Sequence, residues 1–215
     1  MNSTTHKTLY TIARIWSWFV SIVFHPLVYG ILGAYVLIFS LPYYASFNVS
    51  YSYEYLKFVG LLTYIMPLVA IPLYMIIIKI LKQHVSSQHQ RIFIVLSTAI
   101  IYAMSYRILQ KIEVYQLVSY YILLCSLLMF ISLIITYFWK ISLHMIGIGG
   151  FTGVILILSY SQHTLPQTIL PYCFLIAGMV GTSRLFLKAH NTLQIYVGFV
   201  TGIATSIFFT LIFII

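Results

Sequence analysis

Long apolar segments separated by short polar stretches constrain the fold of this 215-residue chain more than any other feature. Seven segments can be recognised, with approximate bounds 17–39, 57–81, 92–108, 112–137, 142–159, 165–185 and 192–215. A helix needs about 20 predominantly apolar residues to cross a bilayer, and most of these segments have that length. The sequence therefore predicts an all-α fold, a polytopic transmembrane bundle of six or seven helices.

The composition supports this class. Hydrophobic residues make up 62% of the chain and charged residues 6%, with a mean hydropathy of +1.03, whereas soluble domains carry roughly a quarter charged residues. We expect a single transmembrane domain, 1–215, whose first helix also serves as the insertion signal because no cleavage pattern precedes it. His25-Pro26 lies inside the first segment and predicts a kink, or an interfacial helix followed by the true crossing.

Acidic residues are nearly absent, which excludes whole classes of site. Glu54 and Glu113 are the two acids, there is no aspartate, and the net charge is +9. Paired-carboxylate glycosidases and carboxylate-bound magnesium or calcium are therefore excluded. The basic residues are dispersed over short loops, so we expect anionic lipid head groups as partners and no nucleic acid. Cys125 and Cys173 lack metal or redox spacing and predict no disulfide.

Three polar stretches fall on one side of the predicted bundle. Counting crossings along the chain puts residues 82–91, 139–144 and 183–190 on the same membrane face. That face carries eight of the lysines and arginines, and the opposite face carries three. The positive-inside rule then makes the face with the polar stretches cytoplasmic.

The side chains on this face suit an anion with several oxygens. They are Lys82, Arg91, Lys140, Ser142, His144, Ser183, Arg184, Lys188 and His190. Guanidinium groups bind phosphate oxygens in pairs and helix N-termini add positive potential, so phosphate fits best. Two histidines at one phosphate would allow one to attack phosphorus while the other protonates the leaving oxygen.

The order and spacing of these residues resemble the type 2 phosphatidic acid phosphatase and vanadium haloperoxidase superfamily. Its third motif, Ser-Arg, five residues, His, three residues, Asp, is matched by Ser183-Arg184, His190 and Gln194, with glutamine in place of aspartate. Its second motif, Pro-Ser-Gly-His, is similar to residues 141–144, which keep the serine and the histidine.

The first motif of that superfamily, Lys, six residues, Arg-Pro, is matched less fully. Arg91 stands for the arginine, Ile92 replaces the proline, His84 occupies the lysine position, and Lys82 is the nearest lysine. The motif-bearing part of the chain is then about 82–215, preceded by an N-terminal helical part, 1–81. The resemblance implies a membrane-embedded lipid phosphate or diphosphate phosphatase, for example of a bacterial inner membrane.

The resemblance also implies a role for each motif residue. His190 would be the nucleophile that forms a phosphohistidine and His144 the general acid, without metal or cofactor. Substrate oxygens would be held by Arg184, Ser142, Arg91, Lys82 and Lys140, with Ser183 bonding phosphate or its own loop. Gln194 replaces the orienting aspartate and is expected to accept a hydrogen bond from His190 through its carbonyl, without supplying charge.

Other interpretations of the same residues remain open. The chain is alternatively a catalytically impaired relative that binds a lipid phosphate, or a structural subunit of a membrane complex or homo-oligomer. The stretch 183–190 alone also fits a basic interfacial turn, and His84, His89 and His144 also fit a metal site. A small transporter has no mid-membrane acid to support it. Five glycines in two helices, Gly147, Gly150, Gly153, Gly198 and Gly202, predict close helix packing.

Overall fold

The computed structural model describes residues 3–41, 48–82, 85–112, 115–160 and 167–213, with side chains from residue 8 onward. Its helices are α1 (Ser3–Val23), α2 (Val28–Ser40), α3 (Val49–Gly60), α4 (Met66–Ile80), α5 (Ser87–Leu109), α6 (Gln116–Phe138), α7 (Leu143–Tyr160), α8 (Ile169–Phe186) and α9 (Thr192–Phe213). The π-helical turn Leu61–Ile65 joins α3 to α4 without a break. All regular secondary structure in these ranges is helical, which confirms the predicted all-α fold.

The number of membrane-spanning helices agrees with the prediction. Six helices in the described ranges are long and apolar enough to cross a bilayer, or seven when the bent pair α1–α2 counts as one span. The bounds of α5 to α9 differ from the predicted segments by at most 5 residues. Hydropathy alone was therefore sufficient for these five crossings.

The second predicted segment was wrong at its start. The predicted segment begins at about residue 57, but α3 begins at Val49. The Asn48 side chain accepts a hydrogen bond from the Ser50 N–H at 2.8 Å and so caps the helix. Ser52 is buried, and its hydroxyl bonds the Tyr115 hydroxyl at 2.7 Å. Averaging hydropathy along the chain misses the first turns of α3, because hydrogen bonds of polar side chains stabilise them.

The predicted kink at His25-Pro26 is confirmed. α1 and α2 are bent by 58° at the break that contains these residues. α1 packs against the end of α8. The Tyr10 and Phe186 rings lie 5.4 Å apart, centroid to centroid, and Arg184 donates to the Ser21 hydroxyl at 3.4 Å.

Close contact between α7 and α9 positions the starts of both helices. A Cβ added at Gly202 would lie 2.5 Å from the Ile146 carbonyl oxygen, and one at Gly198 would lie 3.0 Å from that of Ser142. Gly153 meets the α9 backbone in the same way, at 2.8 Å from the Ile203 carbonyl oxygen. The helices therefore pack backbone to backbone, as the glycine pattern predicted.

The other two predicted glycines contact different helices. A Cβ at Gly147 would meet the Tyr29 ring on α2, and one at Gly150 would meet Leu128 on α6. Gly149, which we did not single out, joins Gly153 at the α9 contact because its added Cβ would strike the Phe199 backbone. The α7 glycines thus allow close packing against three helices, α2, α6 and α9, rather than against one.

Candidate functional site

The turn between α8 and α9 is closed by its own backbone. The Lys188 N–H donates to the Leu185 carbonyl at 2.9 Å, and the Ala189 N–H donates to the Arg184 carbonyl at 3.1 Å. These two bonds form a Schellman motif, which needs a residue in the left-handed region, here Lys188 with φ of 52°. The turn brings His190, just before α9, back to the end of the bundle that carries Arg184.

A reciprocal pair of hydrogen bonds holds the start of α9. The Gln194 N–H donates to Oδ1 of Asn191 at 2.9 Å, and the Asn191 N–H donates to Oε1 of Gln194 at 3.2 Å. This is a capping box with asparagine as the N-cap residue and glutamine at the third helical position. Because a backbone N–H only donates, the Gln194 atom facing it is the carbonyl oxygen.

That oxygen also selects the tautomer of His190. Nδ1 of His190 lies 3.0 Å from Oε1 of Gln194. An amide oxygen only accepts, so Nδ1 carries the proton and neutral His190 has its lone pair on Nε2. This confirms the prediction that Gln194 accepts a hydrogen bond from His190. It also leaves Nε2 as the atom able to attack an electrophile.

His190 is uncharged at neutral pH. Burial lowers the pKa of His190 from 6.5 to about 4, the charges of Arg184, Arg91 and Lys140 act in the same direction, and the bond to Gln194 opposes them. Arg184, Arg91 and Lys140 therefore lie within electrostatic reach of His190. The residues expected to share one membrane face thus act on one imidazole.

The hydroxyl of Ser142, at the start of α7, is a candidate anion-binding group. The Ser142 carbonyl accepts from the N–H groups of Met145 and Ile146, each at 3.1 Å, so Ser142 occupies the N-cap position. Its hydroxyl does not perform the usual capping bond. It is buried, and Oγ has no hydrogen-bond partner among the described residues. A buried hydroxyl beside the free N–H groups of a helix start suits an anion.

His144 is oriented by α1. Its Nε2 lies 3.1 Å from the Ser21 carbonyl oxygen, which only accepts, so Nε2 carries the proton and Nδ1 holds the lone pair of neutral His144. When His144 takes up a second proton, Nδ1–H becomes the free donor while Nε2 stays bound. The Ser21 carbonyl thus fixes the ring as a carboxylate does in other histidine sites.

Two arginines approach the same region from different helices. Nη1 of Arg184 donates to the Ser21 hydroxyl at 3.4 Å, and Nη2 of Arg91 donates to the Ile141 carbonyl oxygen. The Nε atom of each arginine is buried and has no hydrogen-bond partner among the described residues. A buried donor without a partner costs about 1–3 kcal/mol, so these atoms favour a bound acceptor.

No carboxylate compensates these positive charges within the described ranges. Glu54, the single acid that the structure describes, lies 2.7 Å from Lys57 in an exposed ion pair on α3. Arg184, Arg91 and Lys140 therefore produce a positive potential around His190 that an anion would neutralise. Three unpartnered polar atoms, from Arg91, Arg184 and Ser142, can serve as its hydrogen-bond donors.

Sequence reasoning missed the contribution of α1. Ser21 bonds both Arg184 and His144, and the ring of His25 lies 5.6 Å from that of His144, centroid to centroid, in an edge-on arrangement. The Leu27 N–H donates to Nδ1 of His25 at 3.4 Å, which puts the proton of neutral His25 on Nε2. Neither residue belongs to a motif, so the site extends beyond the expected motif-bearing part, 82–215.

Three of the predicted substrate-binding residues form no hydrogen bond with the other site residues among the described contacts. Lys82 is exposed at the end of α4, and none of the described hydrogen bonds joins it to the other site residues. The Ser183 hydroxyl donates to the Met179 carbonyl at 2.8 Å within its own helix. Lys140 is exposed and, with Arg91, lines a cleft of about 350 Å³ beside the site.

The metal interpretation finds no support in the described ranges, where no three His, Cys, Asp or Glu side chains are placed to hold a metal ion. His84, which this interpretation needs, lies outside the described residues. Cys125 and Cys173 are buried free thiols.

Comparison with known proteins gives no match to a protein-family model, to a curated sequence or to a solved structure. The geometry of the site therefore carries the functional argument alone.

Proposed function

We propose that this protein is a membrane-embedded phosphatase that hydrolyses a lipid phosphate or diphosphate through a phosphohistidine intermediate. One observation carries the proposal. His190 has its proton held on Nδ1 by Gln194, and its free Nε2 lies in a region made positive by Arg184 and Arg91 with no compensating acid among the described residues. A neutral imidazole nucleophile within a cluster of anion-binding groups matches phosphoryl transfer.

In the first step Nε2 of His190 attacks phosphorus. A P–N bond forms, the P–O bond to the lipid breaks, and the lipid oxygen leaves with a proton that the monoanionic substrate phosphate brings to the site and that Nδ1 of His144 relays. Arg184, Arg91 and Ser142 stabilise the charge on the three remaining phosphoryl oxygens. Gln194 accepts the Nδ1–H bond throughout, so the positive charge that develops on His190 has an oriented acceptor.

In the second step water attacks phosphorus and the P–N bond breaks. Nδ1 of His144, now unprotonated, accepts a proton from that water. Inorganic phosphate leaves, taking that proton back from Nδ1 of His144, and His190 regains its lone pair. Both histidines therefore end in their starting protonation states, and the residues named supply all the proton transfers without a metal.

The proposed substrate is a membrane lipid, and the reaction takes place at one membrane face. The excess of lysine and arginine on the face that carries the site favours the cytoplasmic side. In a bacterium this would be the inner, or plasma, membrane. The same positive charge would attract anionic head groups to the bilayer surface beside the site.

The test is phosphate release by the purified protein from phosphatidic acid, phosphatidylglycerol phosphate and a polyprenyl diphosphate, with and without EDTA. We expect release that EDTA leaves unchanged and that His190→Ala abolishes. His89→Ala is the matched control, because His89 is exposed and bonds only Ser86 among the described contacts. Activity retained in His190→Ala, or lost equally in His89→Ala, contradicts the proposal.

A second candidate function is binding of the lipid phosphate without hydrolysis. Gln194 favours it, because a neutral acceptor stabilises a positive phosphohistidine less than a carboxylate does. No release from any of these substrates, together with lipid phosphate that copurifies and is displaced by vanadate or phosphate, would support this candidate over the first.

A further inference from the structure

The surface beside the phosphate-binding residues contains an apolar groove that the proposed chemistry does not use. It lies between α1 and α8 and has a volume of about 570 Å³, within the roughly 300–1,000 Å³ of pockets that bind small molecules. Its apolar lining includes Trp16, Phe174, Leu175, Met179 and Phe186. Trp16, Phe174 and Leu175 are 56%, 47% and 61% exposed, so the groove faces the bilayer.

One end of the groove lies near the proposed phosphate site. Ser183, in its wall, precedes Arg184 in the chain, and Ser17 lies one helical turn from Ser21, which bonds Arg184. From Phe186 to Phe174 the lining follows α8 away from the site for about 18 Å. A molecule with its phosphate at Arg184 would therefore extend along the groove toward the membrane interior.

We infer that this groove holds one hydrocarbon chain of the lipid whose phosphate binds at Arg184 and His190. The inference rests on the proposed function and assigns the substrate class, a phosphate carried by a long alkyl or prenyl chain. Two features select this occupant: the mainly apolar lining also includes Ser183, next to Arg184 in the chain, and the positive charge of Arg184 is complementary to a phosphate. A protein helix would not match this combination in so short a groove.

Gly178 allows the groove to be filled without disturbing the bundle. It lines the groove, and a Cβ added there meets no heavy atom within 4 Å. By contrast, a Cβ at Gly153 or Gly202 would strike the backbone of a neighbouring helix. A larger side chain at Gly178 therefore occupies space that a lipid chain would use.

The experiment compares hexadecyl phosphate with butyl phosphate in wild type and Gly178→Leu. For Gly178→Leu we expect a rise of about tenfold in KM for hexadecyl phosphate, because the leucine displaces methylene contacts. Turnover of butyl phosphate stays unchanged, since its chain does not reach Gly178. Val200→Trp, at an exposed position of α9, is the control for added bulk. It should change neither the KM for hexadecyl phosphate nor the turnover of butyl phosphate. An unchanged KM for hexadecyl phosphate, or an equal rise in KM for both substrates, overturns the inference.

A second measurement separates this inference from the proposed function. Trp16 lies in the groove, so a bromine-labelled hexadecyl phosphate should quench its fluorescence saturably, and bromine-labelled hexadecanol should not. Trp16→Phe should remove the saturable part, and Gly178→Leu should weaken it. Saturable quenching without hydrolysis supports the groove while the phosphatase proposal fails. Quenching that does not saturate, or is equal for the alcohol, overturns the groove whether or not the protein is a phosphatase.

Discussion

Oε1 of Gln194 lies 3.0 Å from Nδ1 of His190 and also accepts the N–H of Asn191 at 3.2 Å. One oxygen thus caps α9 and orients the imidazole. The helix cap and the proposed nucleophile are therefore not independent, and substitutions at Gln194 change both.

Gln194→Glu keeps the length of the side chain and adds a charge. We expect it to raise the rate of phosphohistidine formation roughly tenfold, the difference between a neutral and a charged hydrogen bond. Gln194→Leu removes the acceptor, frees the other tautomer and should lower that rate by at least about 100-fold. Single-turnover hydrolysis with trapping of the acid-labile intermediate measures both. Equal rates in wild type and both variants would show that Gln194 does not act on the chemistry.

The pH dependence of the first step should report His190. Its pKa of about 4 lies below the usual 6.5, and only the neutral form attacks, so formation of phosphohistidine should fall as pH drops through about 4. In Gln194→Glu the added negative charge raises the pKa, so the fall begins at higher pH. Both proteins are assayed with the same substrate, so the effect of substrate ionisation on the rate cancels in the comparison. An acid limb near pH 6.5 in wild type contradicts the burial of His190.

The same shift predicts how stability depends on pH. Because the folded pKa of His190 is about 4 and the unfolded value is 6.5, the unfolded chain binds more protons between these values, so stability rises with pH across this window. Stability is therefore lost as pH falls from 6.5 toward 4. His190→Asn should show a smaller decrease in Tm from pH 7 to pH 5 in detergent. An identical decrease in both proteins contradicts this prediction.

Arg184→Lys tests whether guanidinium geometry matters. Lysine keeps the charge but offers a point donor instead of a fork, and it loses the bond to the Ser21 hydroxyl. We expect a rise in KM for the lipid phosphate of about tenfold or more. Arg14→Lys is the matched control, since Arg14 is exposed on α1 outside the site. Equal KM values in the two variants would assign Arg184 to an interfacial role.

Substitutions at Lys188 test the stability of the turn between α8 and α9 rather than the proposed reaction. Its φ of 52° costs a non-glycine residue about 1–2 kcal/mol, so Lys188→Gly should raise the Tm. Lys82, with φ of 50°, provides a comparison, and Lys82→Gly should raise the Tm similarly. Lys188→Val should lower the Tm, because a β-branched side chain tolerates this region poorly. A lower Tm in Lys188→Gly would show that the lysine side chain stabilises the turn.

The sequence was sufficient for the parts of the fold and site that follow from local pattern. Apolar length predicted the crossings, Pro26 the bend, and the spacing of His190 and Gln194 their hydrogen bond. These features depend on residues close together in the chain.

Long-range features were not predictable in the same way. Ser21 and His25 enter the site because α1 packs against α8 and α7, and no local pattern encodes these contacts. The early start of α3 escaped prediction for a related reason. It depends on Ser52 bonding Tyr115, which lies 63 residues away in the chain.

Because α7 and α9 pack backbone to backbone, we expect these two helices to move as one rigid body. No layer of side chains separates Gly198 and Gly202 from the α7 backbone, so no rotamer change can absorb sliding between them. We therefore expect His144, at the start of α7, and His190, just before α9, to move together. If the proposed function holds, we expect adjustment to lipids of different size to come from α1, which is bent relative to α2 at the break that contains Pro26 and contacts the site through Ser21.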